Sequence, residues 1–497
     1  VFYGIHGIIK FEKTYMRRDT MKRNSKFLCL FLMLAIVFSS FSFAFADGEQ
    51  IVPQESPSSW AIEYLMEAQI QKLADEGYFA QFKQGVTRAE LANIGSTLYE
   101  KLSGKQISPV SQNPFKDTED KGVLKALALD LMAGEGDLFN PDKSATREDV
   151  AIVIFNALDK CEPKVNLGSS EDKIKAIVSN GIMNGKSAKD LGLNDVCTRE
   201  EALVLFARAY DFAIHSTNRD SKGFLWEISN GKNNVYVLGS IHVADSSIYP
   251  FSAGIMENFT KSDFLAVEAN IVADQEGIQY MMQKAMYSDD NTLEKNVSPE
   301  LYKAFVDKIQ EAGLDPKQFE KVKPWYAALL VQGLGMQQAS LDATMGIDFN
   351  LMTKAMLRNK DIVEIEGIKS QADLFDSMSK ELQENLLKSS LVEVKQDNES
   401  INVQGEVIKY MLDTWKKGDM VEFEKFMEQA NKEGDQEFNK MLFNERNKNM
   451  VKKVEEFLNN ENGETYFVVV GAGHLVGDTG IIKVLKSKGY TVKQITK

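Results

Sequence analysis

Two strand-like apolar runs each end in the pattern Gly-x-x-His, and this duplication constrains the fold more than any other feature of the sequence. Val235–Leu238 precedes the pattern that ends at His242, and Phe467–Val470 precedes the one that ends at His474. A β-rich run that stops at glycine delivers the next side chains to the carboxyl edge of a sheet, where open α/β sheets bind ligands. The chain has four histidines, and imidazole suits metal ligation and proton transfer near neutral pH. We therefore expect His242 and His474 to meet in one functional site.

Length, charge and cysteine content limit the classes of protein to which this chain can belong. A chain of 497 residues with 43% hydrophobic and 26% charged residues can bury more than one core, so we expect two or three globular domains. Its formal net charge of −14, with no sustained basic patch, argues against binding nucleic acid, because such binding depends on neutralising phosphates. The cysteines form no disulfide framework. We expect Cys161 and Cys197 to be packing residues, although a single bridge between them stays open.

The N-terminal residues have the composition of an export signal. Residues 21–46 combine positive charges after Met21, an apolar run over Phe27–Phe43 and a small-x-small cleavage site before Asp47. Residues 1–20 are interpreted as a non-native upstream segment. After cleavage we expect a secreted chain with no membrane span; an uncleaved membrane anchor is the alternative.

A short motif recurs three times in the N-terminal portion. Each copy has a threonine, an arginine and, three residues after the threonine, an acidic residue; the copies begin at Thr87, Thr146 and Thr198. An apolar helical run follows each copy, and another helix-like segment ending at glycine precedes it: Ala61–Gly77, Gly122–Gly134 and Glu171–Gly181. The motif predicts a helix capping box. A cap does not explain why arginine recurs at the first helical position, where it opposes the helix dipole, whereas a ligand-facing role would.

These repeats resemble the S-layer homology (SLH) domain of bacterial surface proteins, on the Thr-Arg motifs, Trp60 and Phe139–Asp142. The resemblance implies an all-α pseudo-trimer with repeats at 56–110, 111–163 and 164–214, followed by a polar linker at 215–222. It further implies that the grooves bind an anionic secondary cell-wall polymer, whose acidic groups pair with guanidinium groups; the arginines concerned are Arg88, Arg147 and Arg199. The alternative is a small helical bundle in which the motifs are only caps.

The C-terminal region has the pattern of an α/β domain. Phe224–Ser229 and Asn234–Leu238 predict a hairpin, because the Asn-Gly between them favours a tight turn. Two further strands end in acidic residues, at Glu268 and Glu366, and Tyr466–Val470 with Thr491–Ile495 complete the sheet. The intervening stretches, 276–361 and 371–459, have helical patterning. We therefore expect a mixed sheet with a large helical insertion between the two Gly-x-x-His motifs.

Two histidines at two strand ends, with a carboxylate at a third, form a set that can hold a divalent metal. Such a site leaves coordination positions for water and substrate, and the metal lowers the pKa of bound water and polarises a carbonyl. We expect His242, His474 and Glu268 to be the ligands, and a second carboxylate such as Glu366 to accept the proton. The chemistry would be hydrolysis. The alternative is that the glycines provide close packing and each histidine only caps a strand.

The region 223–497 also resembles the TraB/GumN family, whose members include the TIKI metalloproteases and the TraB pheromone-shutdown proteins. Matching segments occur in order along this region: Leu238–Val243, Val267–Ala269, Lys323–Trp325, Gly346–Asp348, Glu366 with Gln371, Glu445–Asn447 and Gly471–Gly477. The resemblance implies a metal-dependent peptidase. It places His242, His474 and Glu268 in the metal or catalytic set, Arg446 and Asn447 as supports, and Asp348 and Glu366 as further candidates.

Taken together, the sequence predicts a cell-wall-anchored extracellular hydrolase in the S-layer of a bacterium, acting on a peptide or protein with a divalent metal such as Mn, Co or Zn. Arg446 is the expected stabiliser of a developing oxyanion. Asp348 could orient a ligand histidine as readily as it could act as a base. The alternative is a non-catalytic surface protein that binds or sequesters a peptide signal in the same cleft.

Overall fold

The computed structural model describes residues 55–169, 172–187, 190–392, 394–396, 399–401 and 403–496. The predicted upstream segment and signal, residues 1–20 and 21–46, lie outside the described residues. The described chain falls into two compact units that divide between Asp220 and Ser221. No helix in the described part of the chain is both long enough and apolar enough to cross a membrane.

The N-terminal unit is helical, and its three longest helices begin at the recurring motif. Thr87, Thr146 and Thr198 each form a complete capping box, so the predicted caps are confirmed. The helices are α1 Ile62–Ile70, α2 Arg88–Ser103, α3 Lys121–Ala128, α4 Arg147–Asp159, α5 Lys173–Ser179 and α6 Arg199–Ser216. Because α6 extends to Ser216, the linker is shorter than the predicted 215–222.

The residues just before the three capping boxes are joined in a ring of backbone hydrogen bonds. The Val86 amide donates to the Cys197 carbonyl (2.8 Å), the Cys197 amide to the Ala145 carbonyl (3.0 Å), and the Ala145 amide to the Val86 carbonyl (2.8 Å). One apolar core of buried side chains from all six helices packs around this ring. Cys161 and Cys197 are buried free thiols within it, so they pack as expected and form no bridge. Burial raises the pKa of both thiols, to about 11 and about 12.

The C-terminal unit is built on a mixed six-stranded sheet, as the sequence predicted. Its strands are β1 Phe224–Ser229, β2 Asn234–Ser240, β3 Phe264–Val267, β4 Asp361–Glu364, β7 Tyr466–Gly471 and β8 Thr491–Ile495. They lie in the order β4-β3-β7-β2-β1-β8. β4, β3, β7 and β2 are parallel neighbours, while β1 is antiparallel to β2 and to β8. The central strands β2, β3 and β7 are apolar and buried, as expected for parallel strands covered on both faces.

Helices occupy most of the chain between these strands. The sequence prediction of helical patterning over 371–459 was wrong at one place, where two short strands, β5 Val394–Gln396 and β6 Glu399–Ile401, pair antiparallel. The helices are α7 Ala253–Lys261, α8 Gln275–Ala285, α9 Leu293–Asn296, α10 Pro299–Glu311, α11 Pro324–Gln338, α12 Ile347–Leu357, α13 Ile368–Asp376, α14 Lys380–Ser390, α15 Val403–Lys417, α16 Met420–Glu433, α17 Gln436–Asn439, α18 Glu445–Leu458 and α19 Ile481–Ser487. A single π-helical turn, Lys440–Asn444, separates α17 from α18.

Candidate active site

The sheet register places the two Gly-x-x-His motifs beside each other. β2 and β7 are parallel neighbours, and Gly239 pairs with Val470 and Ser240 with Gly471 at their carboxyl ends. β3 lies on the other side of β7 and ends at Val267, directly before Glu268. Since parallel strands end at the same sheet edge, His242, His474 and Glu268 emerge together, at the position where α/β sheets bind ligands.

His242 is oriented by a carboxylate from α12. Its Nδ1 lies 2.8 Å from Oδ2 of Asp348, whose Oδ1 accepts a hydrogen bond from the Ser240 hydroxyl at 3.2 Å. All three side chains are buried. An ionised carboxylate can only accept hydrogen bonds, so Nδ1 of His242 carries the proton and donates it to Asp348, and Nε2 faces the rest of the site.

His474 is oriented by an amide from α18 instead of a carboxylate. Its Nδ1 lies 2.6 Å from Oδ1 of Asn447, and Nδ2 of Asn447 donates to the Thr479 carbonyl at 3.0 Å. The second bond fixes the amide orientation, so Oδ1 accepts from Nδ1–H of His474 and the lone pair of that imidazole lies on Nε2. The ring of Phe443, from the π-helical turn, packs edge-on against His474 at 5.4 Å between centroids.

Glu268 is held by groups from strand β7 and from helix α18. Its Oε1 accepts from the Gly471 amide at 2.5 Å and lies 3.7 Å from Nε2 of His474, while its Oε2 accepts from Nη2 of Arg446 at 2.5 Å. The Glu268 carbonyl accepts from the amides of Glu366 (3.0 Å) and Gly367 (2.8 Å). Both the side chain and the backbone of Glu268 are therefore fixed.

Arg446 bridges two carboxylates. Besides Glu268, it binds Glu366 through Nε (2.8 and 3.0 Å) and through Nη2 (2.6 Å). Gln371 adds a weaker bond from Nε2 to Glu366 at 3.4 Å. Both carboxylate oxygens of Glu366 therefore already accept hydrogen bonds from Arg446, so these contacts favour a positioning role over the base predicted from the sequence. Arg446, which the sequence predicted to stabilise an oxyanion, donates from Nε and Nη2 to the carboxylates of Glu366 and Glu268.

The position of Gly471 shows how closely the reactive groups converge. A Cβ added to Gly471 would lie 3.3 Å from Nε2 of His242, 3.4 Å from Oε1 of Glu268 and 3.5 Å from Cδ2 of His474. Any larger residue here would fill the space between the three groups. The glycine of the second motif thus keeps this space open, in addition to ending the strand.

The two imidazoles differ in their proton affinity. Burial alone would lower the pKa of His242, but the carboxylate of Asp348 outweighs it and raises the pKa to about 8. Burial, together with the positive charge of Arg446, lowers the pKa of His474 to about 3. Burial would raise the pKa of Glu268, yet Arg446 and the imidazoles outweigh burial and lower it to about 2. Near neutral pH, without metal, the site holds a cationic His242, a neutral His474 and an ionised Glu268.

The donor set is suited in its chemistry to a divalent metal. Among the described residues, no group of three histidine, cysteine, aspartate or glutamate side chains has the arrangement of a metal-binding site as it stands. However, each histidine is held through Nδ1, which is the usual support for a ligand that binds through Nε2. Glu268 accepts one hydrogen bond at each oxygen, and a carboxylate has about four acceptor positions, so it retains capacity for a ligand bond.

The three motif arginines of the N-terminal unit bind carbonyls of the loops before the next capping box. Arg88 donates to the Phe139 and Ala133 carbonyls (2.9 and 2.7 Å), and Arg147 to those of Leu191 and Asn184 (3.0 and 2.8 Å). Arg147 also pairs with Glu201 at 3.2 Å. Arg199 pairs with Glu90 at 2.5 Å and donates to the Ala80 carbonyl at 3.3 Å. Arg147 is 5% exposed, so its side chain is part of the interior.

All seven residues predicted for the C-terminal site thus lie together, and the structure adds contacts that the sequence did not reveal. The Gly471 amide and the Thr479 carbonyl are backbone groups, and a pattern of residue types does not predict their contacts. Trp415 donates from Nε1 to the Gly239 carbonyl at 2.6 Å from a distant helix. Ser240 could have been noticed, because it lies inside the first Gly-x-x-His motif.

Comparisons with known proteins agree with this architecture. The profile of the S-layer homology domain matches residues 114–151, which include the second Thr-Arg motif. The protein named "Uncharacterized protein YbaP" of Escherichia coli (strain K12) is 26% identical over 141 residues, covering 28% of this chain and 51% of that protein. The chain therefore spans about half the length of this relative. A protein named "Metalloprotease TIKI homolog" from Nematostella vectensis is 21% identical over 323 residues, covering 56% of this chain and 68% of that protein. The profile of the TraB/PrgY/gumN family matches residues 224–494, and the chain therefore belongs to that family.

Proposed function

We propose that this protein is a metal-dependent hydrolase, acting on a peptide or protein outside the cell and attached to the cell wall by its N-terminal unit. The observation that carries the proposal is the convergence of His242, His474 and Glu268 around Gly471. The similarity to a protein named as a metalloprotease supports a peptide substrate. Sites of this kind hold a metal and leave room for water and substrate.

Each residue has a distinct task in this proposal. His242 and His474, through Nε2, and Glu268, through Oε1, would hold the divalent metal, which when bound supplies an acidified water and polarises the carbonyl that is attacked. Asp348 and Asn447 hold the imidazole rings in place through Nδ1. Arg446 keeps Glu268 ionised and holds its carboxylate in place.

A metal-free reaction is the second candidate, and the opposite pKa shifts of the two imidazoles favour it. A cationic His242 can donate a proton to the leaving group, while the lone pair on Nε2 of the neutral His474 can accept a hydrogen bond from the attacking water. Pairs of groups whose environments drive their pKa values apart mark acid and base roles. A non-catalytic surface protein that binds a peptide is the third candidate and would use the same cleft.

Metal content and peptide cleavage, measured on the same preparations, separate these candidates. We expect the full chain, reconstituted with Mn, Co or Zn, to retain about one metal ion per chain and to cleave members of a fluorescence-quenched peptide library. His242→Ala and His474→Ala should lose both properties, whereas Lys232→Ala, in the β1–β2 turn, should lose neither. Full cleavage by metal-free protein would favour the acid–base route, and absence of cleavage by metal-loaded protein would favour binding alone.

We also propose that the N-terminal unit contains three S-layer homology repeats. Support comes from the three equivalent capping boxes, the ring of hydrogen bonds that joins them, and the match of the second motif to the S-layer homology profile. Repeats of this type are proposed to bind an anionic secondary cell-wall polymer through Arg88, Arg147 and Arg199. That arrangement would place the hydrolase at the bacterial cell wall.

A further inference from the structure

Trp415, near the end of α15, donates a hydrogen bond into the first Gly-x-x-His motif. Its indole Nε1 lies 2.6 Å from the Gly239 carbonyl oxygen. Trp415 is 0% exposed, and Gly239 is buried as well. A buried carbonyl that loses its donor cannot turn to water instead, so this bond strongly constrains the peptide that follows Gly239.

The Trp415 ring is held by contacts other than this bond. It packs against Gly223, where an added Cβ would lie 3.0 Å from Cζ2 of the indole. Phe251 packs edge-on against the indole, with 5.5 Å between ring centroids. The Trp415 carbonyl also accepts from the Gly223 amide at 3.0 Å. The indole N–H is therefore a fixed donor, and the Gly239 carbonyl is held to it.

Gly239 is the residue at which the first Gly-x-x-His motif touches the second. A Cβ added to Gly239 would lie 2.8 Å from Cδ1 of Leu475 and 3.1 Å from Cα of Ala472. Ala472 and Leu475 lie on either side of His474 in the chain. The indole bond of Trp415 therefore holds the first motif at its contact with the segment that carries His474.

The residues that follow in the first motif are tied to a different helix, α12. The Ser240 hydroxyl and Nδ1 of His242 both bind the Asp348 carboxylate, at 3.2 and 2.8 Å. The Ile241 carbonyl accepts from the Ile347 amide at 3.2 Å. The pairing of β2 with β7 ends at Ser240. Beyond that point the motif is held between α12 and the indole of α15, and without the indole bond it would follow α12 alone.

We propose that Trp415 is a positioning residue of the candidate active site, acting through the Gly239 carbonyl to hold His242 in register with His474. It acts through the backbone and needs no contact with substrate or metal. The indole bond fixes one end of the first motif while α12 fixes the other, so the two imidazoles keep a constant separation. This inference rests on the proposed function of the site and adds a residue that lies outside both Gly-x-x-His motifs.

Replacing Trp415 by benzothienylalanine tests this role, because the ring keeps its size and shape but has sulfur in place of the N–H. The full chain, treated with chelator, is protonated only at histidine and glycine. The readout is the nuclear Overhauser cross-peak between a ring proton of His242 and the α-protons of Gly471, since a Cβ on Gly471 would lie 3.3 Å from Nε2 of His242. His242→Ala identifies this cross-peak by its absence. We expect the Trp415 replacement to lose most of it, because the motif shifts relative to β7 when the indole bond is gone.

The same replacement at Trp226 is the matched control, because the buried indole nitrogen of Trp226 has no hydrogen-bond partner in the described part of the chain. It should keep the cross-peak and the wild-type unfolding temperature. An undiminished cross-peak in the Trp415 replacement, or an equal loss in the Trp226 replacement, would overturn the positioning role. Failure of the Trp415 replacement to fold, while the Trp226 replacement folds, would also overturn it, since the bond would then serve folding.

Metal binding is measured separately, by adding Co²⁺ to the same proteins. We expect the Trp415 replacement to bind Co²⁺ about tenfold more weakly than the wild type, as is typical when an outer partner of a metal ligand is lost. An affinity that this replacement leaves unchanged would overturn the positioning role. A wild-type chain that binds no Co²⁺, but whose cross-peak is lost on replacement of Trp415, would contradict metal-dependent hydrolysis and leave the positioning role standing.

Discussion

His242 and His474 follow the same motif but meet different partners at Nδ1. Asp348 brings a negative charge to His242, whereas Asn447 brings a neutral amide to His474. Arg446 lies on Glu268, close enough to His474 to disfavour a second positive charge there. The same Gly-x-x-His motif therefore gives one imidazole that holds its proton and one that releases it.

The first prediction concerns these protonation states in chelator-treated protein. By ¹⁵N-edited NMR of the imidazoles, we expect His242 to titrate near pH 8 and His474 to stay neutral down to about pH 3. The His242 ion pair therefore stabilises the fold below its ordinary pKa of 6.5, and this contribution is lost as the pH rises through about 8. The contribution of His474 to stability has the opposite pH dependence. Below pH 6.5 only the unfolded chain takes up the proton, so stability falls as the pH is lowered. Asp348→Asn should lower the pKa of His242; an unchanged titration would contradict the ion-pair explanation.

The second prediction concerns the space that Gly471 keeps open. Gly471→Ala should reduce peptide cleavage and metal retention at least tenfold, because its Cβ would lie 3.3 Å from Nε2 of His242. Gly471 has φ of −51°, a value open to alanine, so the backbone itself should tolerate the change. Gly77→Ala is the control, since a Cβ there meets no atom within 4 Å. Thermal unfolding should confirm that both variants fold; normal activity of Gly471→Ala would contradict the convergence of the three groups.

At the scale of elements, the strands and their ends were predictable from the sequence, whereas the contacts between helices and strand ends were not. Alternation of apolar runs with turn residues marks where β2, β3 and β7 stop, and parallel strands must end at one edge. Which helix approaches that edge depends on packing of distant segments. The π-helical turn before Arg446 and the paired strands β5 and β6 have no local pattern that distinguishes them from the surrounding helices.

The third prediction concerns the caps that organise the N-terminal unit. Thr146→Ala removes the side chain that accepts from the Asp149 amide, so we expect the free energy of unfolding to fall by about 1 kcal/mol. Chemical denaturation measures this change. Thr97→Ala, inside α2, removes a threonine that is not a cap and should be close to neutral. Equal losses in both variants would show that the cap itself contributes little.

At the scale of the whole molecule, the proposed attachment to the cell wall depends on which of the three arginines can bind an anion. Arg147 and Arg199 pair with Glu201 and Glu90, the acidic residues of the next capping boxes. The corresponding acid for Arg88 is Asp149, which binds the amide and hydroxyl of Thr146 but, unlike Glu201 and Glu90, forms no ion pair with the motif arginine among the described residues. Aspartate is one methylene shorter than glutamate. Among the described residues, Arg88 therefore binds only carbonyls and the face of Phe139, so its charge is not neutralised by a carboxylate.

The fourth prediction follows from this asymmetry and uses sedimentation of the chain with purified cell-wall fragments. Arg88→Gln should weaken wall binding at least tenfold with little change in the unfolding temperature. Arg147→Gln should mainly lower the unfolding temperature, because the buried Arg147 side chain holds the carbonyls of Leu191 and Asn184 and the carboxylate of Glu201, which all lose this partner. Asp149→Glu is the most specific variant, since a longer carboxylate can reach Arg88 and compete with an anionic polymer while keeping the capping box. If Asp149→Glu and Arg88→Gln both bind the wall like the wild type, the Arg88 groove is not where the polymer binds.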